Sequence, residues 1–259
     1  MTRTISLSQH KLADFLACRR RFQLRYLDQL PWPIEPLYDR DQETRELGQR
    51  FHQILQRHFL GLPVDEDIAG DPQLRGWWHI FQEKGPQMPT GRLFPELSLT
   101  VPIDRHLLTG RFDLLVLGEE QIQIFDWKTD ARPPARSKLQ ETLQTRFYLA
   151  LSAEGGPALK QAVEPEHISL NYWYVNAPEE MVTINYSQDR HVENWAYLKE
   201  TIAELDRLIA AGGEWPLTDD LAQCRRCAYQ VYCDRIVGSI DLKKWDLEDE
   251  GQSLEPARP

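Results

Sequence analysis

The sequence predicts an α/β protein in which a strand meander is covered by helices, with helical arms at both ends of the chain. Three observations carry this. Residues 94–128 hold three apolar runs separated by turns, the pattern of consecutive strands. Apolar residues recur at helical spacing before them, at Leu47, Phe51, Ile54, Leu55 and Phe59, and after them, at Leu139, Leu143, Phe147 and Leu151. A further apolar run, "HISLNYWYV", follows that second helix. Strands adjacent in sequence pair most simply as a meander, and helices then cover the sheet. The expected core order is helix, three strands, helix, strand.

Each element has a local cause. Residues 6–27 are expected as one helix, with Leu12, Phe15 and Leu16 at helical spacing and Arg19, Arg20, Arg21 and Arg25 at a basic end. "LPWPIEP" breaks the chain. A second helix is expected over 41–60 and a short one over 72–84, inside an insertion of about 61–92. "FPELSLTVP" alternates at Leu97, Leu99 and Val101. "HLLTGRFDLLVLG" is nearly continuous in apolar content after Gly110, as for a strand covered on both faces. "QIQIFDWK" follows a Gly-Glu-Glu turn, and a helix over 138–151 comes next. "HISLNYWYV" and "EMVTINY" read as strands around an Asn-Ala-Pro turn. Residues 188–211 read as a long helix using Trp195, Leu198, Ile202, Leu205 and Ile209, stopped by Gly212 and Gly213. The expected organisation is an arm over 1–40, a core over 41–186, a helix and cysteine segment over 187–240, and an acidic, flexible tail over 241–259.

The chain has 259 residues, 41% of them hydrophobic, and a formal net charge of −10. A sizeable core is therefore available. The acidic balance argues against a protein that coats duplex nucleic acid nonspecifically, but it leaves room for a local basic groove. The opening "MTRTISLSQHKLADF" is too polar for a signal peptide, and no apolar run is long enough to span a membrane. A cytoplasmic protein without a membrane partner is expected.

The stretch "IFDWKTD" carries Asp126 and Lys128 inside an apolar strand. With a side-chain period of two, both point the same way. Desolvating an isolated carboxylate and ammonium is costly. A two-residue turn at Glu119–Glu120 sets Gly118 opposite Gln121 and so brings Asp113 opposite Asp126. Directly paired residues have Cβ atoms about 5 Å apart. Two carboxylates so placed suit a divalent cation such as Mg²⁺ or Mn²⁺. Lys128 then stands where it can orient a water or stabilise charge on a phosphate under attack. An ordinary cross-strand salt bridge is the alternative for Asp126 and Lys128 alone. Asp113 on the adjoining strand tips the balance to a site.

These residues resemble the PD-(D/E)XK nuclease superfamily, and most closely its RecB-like branch. "GRFD", "FDWKTD" and then Gln144 and Tyr148 in "LQTRFYLAL" follow the Gly-x-x-Asp, Asp-x-Lys and Gln-x-x-x-Tyr order. Gly48 and His52 in "GQRFHQ" and Glu96 in "FPELSL" fill the two earlier positions. The match spans residues 48–148. The resemblance implies a restriction-endonuclease-like core and catalytic Asp113, Asp126, Lys128 and Glu96. It implies a metal held by His52, Asp113, Asp126 and the backbone carbonyl of Trp127, with Glu96 behind them or on a second ion. An imidazole ligand would tilt the site toward Mn²⁺. Gln144 and Tyr148, one helical turn apart, are implied to border the site and contact DNA or hold the lysine strand. Arg132, Arg136, Lys138 and Arg146, with the N-terminal arginines, are candidates for a basic track. Charge runs are most often solvated faces.

Cys224, Cys227 and Cys233 form C-x2-C-x5-C, and Cys18 is the one other thiol. In a reducing compartment metal ligation is the expected use. Four thiolates select zinc or an iron–sulfur cluster. One N-terminal cysteine plus "CRRCAYQVYC" resembles the iron–sulfur nucleases of the same branch, including the CRISPR-associated family. That resemblance implies a [4Fe–4S] cluster stapling the two arms, with zinc as the alternative. In those relatives a proline often follows the first cysteine, where Arg19 stands here. The resulting expectation is a metal-dependent deoxyribonuclease acting on single-stranded DNA or DNA ends in repair or recombination. A separate helicase, repair or CRISPR partner is expected, since no G-x-x-x-x-G-K-[ST] is present. A catalytically silent DNA-binding or assembly subunit and a CRISPR spacer-acquisition nuclease are the alternatives.

Overall fold

A computed structural model describes residues 4–31, 40–64, 70–225 and 227–235. Its elements, in chain order, are β1 (Ser6–Leu7), α1 (Gln9–Ala17), α2 (Arg19–Phe22), a π-helical turn at Gln23–Leu27, α3 (Arg40–Phe59), α4 (Pro72–Lys84), β2 (Arg92–Ile103), β3 (His106–Leu117), β4 (Ile122–Lys128), α5 (Arg136–Gln140), α6 (Leu143–Glu154), α7 (Gly156–Leu159), β5 (Ile168–Tyr174), β6 (Val182–Asn185), α8 (Gln188–Ala211) and α9 (Leu221–Arg225). The chain divides into two compact units, Met1–Ala13 with Leu37–Ala211, and Asp14–Pro36 with Gly212–Pro259. No helix among the described residues is long and apolar enough to cross a membrane. The tail over 241–259 and most of the "LPWPIEP" break lie outside the described residues.

The first unit is a mixed sheet between helices. β2, β3 and β4 form the expected antiparallel meander. β4 pairs parallel with β5, and β5 antiparallel with β6. The β3–β4 ladder runs from Leu117↔Ile122 to Leu114↔Phe125, and the Gly118 N–H donates to the Gln121 carbonyl at 2.9 Å. This is the register of a two-residue turn. Behind the sheet, Phe51, Ile54 and Leu55 of α3 and Leu74, Trp77 and Phe81 of α4 bury against Leu114, Val116, Phe125, Trp127 and Trp173. α4 starts on an Asp71 cap, whose carboxylate accepts from Gln73 and Leu74, with Pro72 at its first position.

Two expected helices are each divided. Residues 6–27 are not one helix. Ser6 and Leu7 pair parallel with Leu107 and Leu108 of β3, because Leu7 buries completely there. At Cys18 the backbone turns extended (φ −162°, ψ 117°), and its sulfur accepts the Arg21 N–H to cap α2. Arg19 therefore occupies a first helical position, where proline is favoured. Residues 138–151 likewise split. Thr142 leaves the helical region and its side chain accepts the Thr145 N–H, so α6 begins afresh at Leu143. That break puts Gln144 in the first turn of α6.

β1 is tied in by a buried histidine. The Ile5 N–H donates to His106 Nδ1 at 3.1 Å. Nε2 therefore carries the proton and donates to Asp206 Oδ1 of α8 at 2.7 Å. Arg105 also donates to that oxygen. His106 is buried, while Asp206 is partly exposed.

The second unit rests on aromatic packing between its two chain segments. Phe22 stacks on Trp215 with centroids 6.0 Å apart, and Phe15 meets both rings edge-on. Gln23 accepts from the Trp215 N–H and donates to the Gly213 carbonyl. The buried Tyr229 donates to the Leu30 carbonyl at 2.8 Å.

Asp206→Ala should lower stability at neutral pH by about 1–3 kcal/mol, because it leaves the buried His106 donor without an acceptor. Burial raises the Asp206 pKa, but the hydrogen bonds from His106 and Arg105 outweigh it and leave the group below its usual value. The contribution should thus be complete above about pH 4 and fade as acid protonates the folded carboxylate. Denaturant melts of wild type and variant should converge in acid; a constant gap down to the lowest pH would refute the assignment.

Candidate active site

β3 creates the site by losing a neighbour. β2 pairs with it from His106 to Leu117. Its other edge is shared between β1 at Leu107–Leu108 and β4 from Leu114 onward. Between them, Thr109–Asp113 have no partner strand. Side chains take over. The Asp113 carboxylate accepts the Trp127 N–H through Oδ2 at 2.9 Å, and the Tyr148 hydroxyl donates to the Arg111 carbonyl at 2.8 Å. A strand residue directs its N–H and C=O to the same edge, so the Trp127 carbonyl also faces the β3 side.

The alternation of the strands slips here. Gly110 lies against Phe147 and Leu151 of α6, so closely that a Cβ would come within 2.6 Å of Leu151. Phe112 packs on Tyr148 of the same helix. Yet Leu114 and Val116, of the same parity, face the α3–α4 core. The change of face falls at Asp113. In β2 the matching level, between Pro95↔Leu114 and Leu97↔Phe112, is Glu96, whose φ is 51°. A left-handed backbone at a non-glycine residue costs about 1–3 kcal/mol, and such residues cluster at functional sites. Together these turns bring Glu96 and Asp113 to His52 of α3. One ligand atom from each of the three lies within 4.8 Å of the others, the compact metal-capable group among the described residues. His52 Nδ1 is 3.2 Å from Asp113 Oδ1. Gly48, one turn earlier, lets α3 approach β4, since a Cβ there would sit 3.3 Å from Thr129.

Asp126 and Lys128 make a second, adjoining network. Asp126 is buried. Gln144 donates to its Oδ1 at 2.5 Å and accepts from Lys128 Nζ at 3.2 Å. The Lys128 ammonium pairs with Oδ2 at 2.5 Å. Burial pushes the Asp126 pKa up, and the charge of Asp113 adds to it, against Lys128 and His52. Burial works against charge on Lys128, but Asp126 outweighs it and raises the lysine pKa. His52 follows the same logic, with burial lowering its pKa and Asp113 and then Asp126 raising it above the ordinary value.

The structure thus groups His52 and Asp113 with Glu96, while Asp126 is engaged by Lys128 and Gln144. The donor chemistry fits a hard divalent cation, with two carboxylates and one imidazole gathered together and the buried Asp126 carboxylate, paired with Lys128, next to them. Tyr148 and Gln144 both border the site. Arg132, Arg136 and Lys138 are exposed, but Arg146 pairs with Glu141 and stacks on Tyr197. The N-terminal arginines are also engaged. Arg19 caps α1 carbonyls, Arg20 pairs with Glu214, and Arg21 and Arg25 pair with Asp14. A residue missed from the sequence is Arg111, whose Nε is 2.8 Å from Glu96 Oε2. Its signal was a cation inside "GRFD".

The cysteines correct an expectation. All four line one cavity of the second unit with Arg21 and Tyr229, and none is in a disulfide. Burial raises the pKa of Cys227 and of Cys233, and the neighbouring cysteines add to it. Their sulfurs do not converge on a shared ion. A single zinc, with Zn–S near about 2.3 Å, requires them to, so the alternative of one zinc on four cysteines is not met among the described residues, and the expected four-cysteine site is not shown.

A family model described as the PD-(D/E)XK nuclease superfamily matches residues 6–234. No curated protein matches the chain. Among solved structures, a Eubacterium rectale protein provisionally named an exonuclease is 10% identical, with a TM-score of 0.56, covering 94% of this chain and 93% of its own. A protein named SSO0001 is 12% identical, with a TM-score of 0.38, over 90% of this chain and 87% of its own. The first of these likenesses is one of fold. The family model spans both edges of the β3 gap and every acidic and basic group gathered there, and the chain belongs to the PD-(D/E)XK nuclease superfamily.

Proposed function

We propose that the chain is a divalent-metal-dependent deoxyribonuclease that hydrolyses phosphodiester bonds in single-stranded DNA or at DNA ends. The observation that carries this reading is the His52–Glu96–Asp113 donor group beside the Asp126–Lys128–Gln144 network. In this reading His52, Glu96 and Asp113 hold Mg²⁺ or Mn²⁺, with Asp126 and the Trp127 carbonyl adjoining. The ion supplies Lewis-acid polarisation of the phosphate and activation of a water.

The chain's own groups do the rest. Lys128 keeps its proton because Asp126 raises its pKa. It is therefore no general base at neutral pH; it donates to the negative charge that builds on phosphorus-bound oxygens. Gln144 fixes the direction of that ammonium by bonding both it and Asp126. His52 must shed its proton before it can ligate, since a metal takes the neutral imidazole. The Tyr148 ring on the α6 side offers a stacking surface for an unpaired base.

End-labelled single- and double-stranded DNA should be cut only when Mg²⁺ or Mn²⁺ is present, with unpaired strands or ends preferred. Lys128→Ala should slow cleavage by about a hundredfold or more. A wild-type protein that leaves both substrates intact across a Mn²⁺ titration would sink the reading.

We further propose that Cys18, Cys224, Cys227 and Cys233 ligate a [4Fe–4S] cluster. Their soft-donor chemistry and common cavity support this. A cluster is larger than a single ion and takes thiolates that stand further apart. Anaerobically purified protein should then be brown, and Cys18→Ser should lose the visible absorbance and melt at lower temperature. Colourless wild type with an unchanged melting temperature in the variant would remove the cluster.

A further inference from the structure

Arg111 has a surface unlike those of the other cations at the site. Lys128 is enclosed between Asp126 and Gln144, and Arg146 is tied to Glu141. Arg111 is 72% exposed, whereas the Glu96 carboxylate that holds it is 15% exposed. One guanidinium edge therefore meets the site, and the remaining N–H groups point into water. Its backbone is fixed by β2 pairing at Ser98 and by the Tyr148 hydroxyl on its carbonyl. The neighbours on either side, Gly110 and Phe112, are buried under α6. The base of the side chain is thus rigid, and its tip is held by one ion pair to a member of the metal-capable group.

We propose that Arg111 is a substrate-binding residue whose guanidinium grips a phosphate oxygen of the nucleic-acid backbone, with Glu96 as its resting partner. This rests on the nuclease reading above. A guanidinium fork matches a phosphate and can bond it through two N–H groups, which a lysine cannot. A divalent cation on His52, Glu96 and Asp113 competes with Arg111 for the Glu96 carboxylate and repels it. Loading the group therefore frees the fork at the place where a phosphate must arrive. The same side chain opposes the metal and favours the nucleic acid.

That opposition gives the test. Arg111→Ala and Arg111→Lys are made in the full chain with Lys128→Ala, so that cleavage does not intrude. Mn²⁺ binding without nucleic acid is measured by calorimetry. Binding of a short fluorescein-labelled single-stranded DNA, with Mn²⁺ present, is measured by anisotropy over a salt series. Arg111→Ala should bind Mn²⁺ several-fold more tightly and DNA about tenfold more weakly, with the slope of log K against log salt reduced by about 1. Arg111→Lys should keep the slope and recover part of the affinity. DNA affinity and slope that stay unchanged in Arg111→Ala would overturn the proposal and leave Arg111 as a partner of Glu96 alone. Loss of both affinities together, with a lower melting temperature, would overturn it in favour of a structural role. A parent chain that binds Mn²⁺ but no DNA would overturn the nuclease reading itself and this inference with it.

Discussion

Asp113 and Asp126 stand at adjoining positions just past the last β3–β4 pair, and carboxylates that close in a poorly solvated place repel each other. The charge of Asp113 adds to burial in raising the Asp126 pKa. Everything nearby answers that repulsion. Lys128 and Gln144 take Asp126, the Trp127 N–H and His52 take Asp113, and Arg111 takes Glu96. Three carboxylates face two fixed cations and an imidazole with a raised pKa. On the metal-dependent reading, a divalent cation at this group would compete with the positive charge that already faces these carboxylates. Of the groups that supply it, the Arg111 side chain is the exposed one.

The gap in the sheet is what makes room for this. A fully paired β3 would direct its backbone groups into a ladder and leave no edge for Asp113 to reach across. Because β1 is only two residues long, Thr109–Asp113 remain open, and α6 closes over them. Gly110 permits that approach, and the Thr142 cap starts α6 where its first turn meets Asp126. Backbone strain at Glu96 belongs to the same arrangement, since the third carboxylate reaches His52 only where the strand changes face.

The basic groups distribute differently from a simple charge count. Most of the arginines near the chain's start are held by Asp14, Glu214 or carbonyl oxygens within the second unit. Their work is structural, beside the Phe15–Phe22–Trp215 packing. Arg111, Arg132, Arg136 and Lys138, by contrast, are exposed.

Periodicity and turn chemistry, which are local, made much of this chain legible. The β2–β3–β4 meander, the two-residue turn, the long α8 and the buried face of α3 follow from apolar spacing alone. The family motifs pointed to His52, Glu96, Asp113, Asp126 and Lys128. Tertiary structure decided what no local rule contains. It split the first helix at Cys18, where an extended residue caps α2, and made Ser6–Leu7 a strand because β3 offered an edge. It gathered Glu96 with His52 and Asp113 and set the four cysteines around one cavity. Alternation along a strand assumes an unbroken pleat, whereas Phe112 packs on Tyr148 of α6 and Leu114, of the same parity, on the α3–α4 core. Only the packed chain brings those distant positions together.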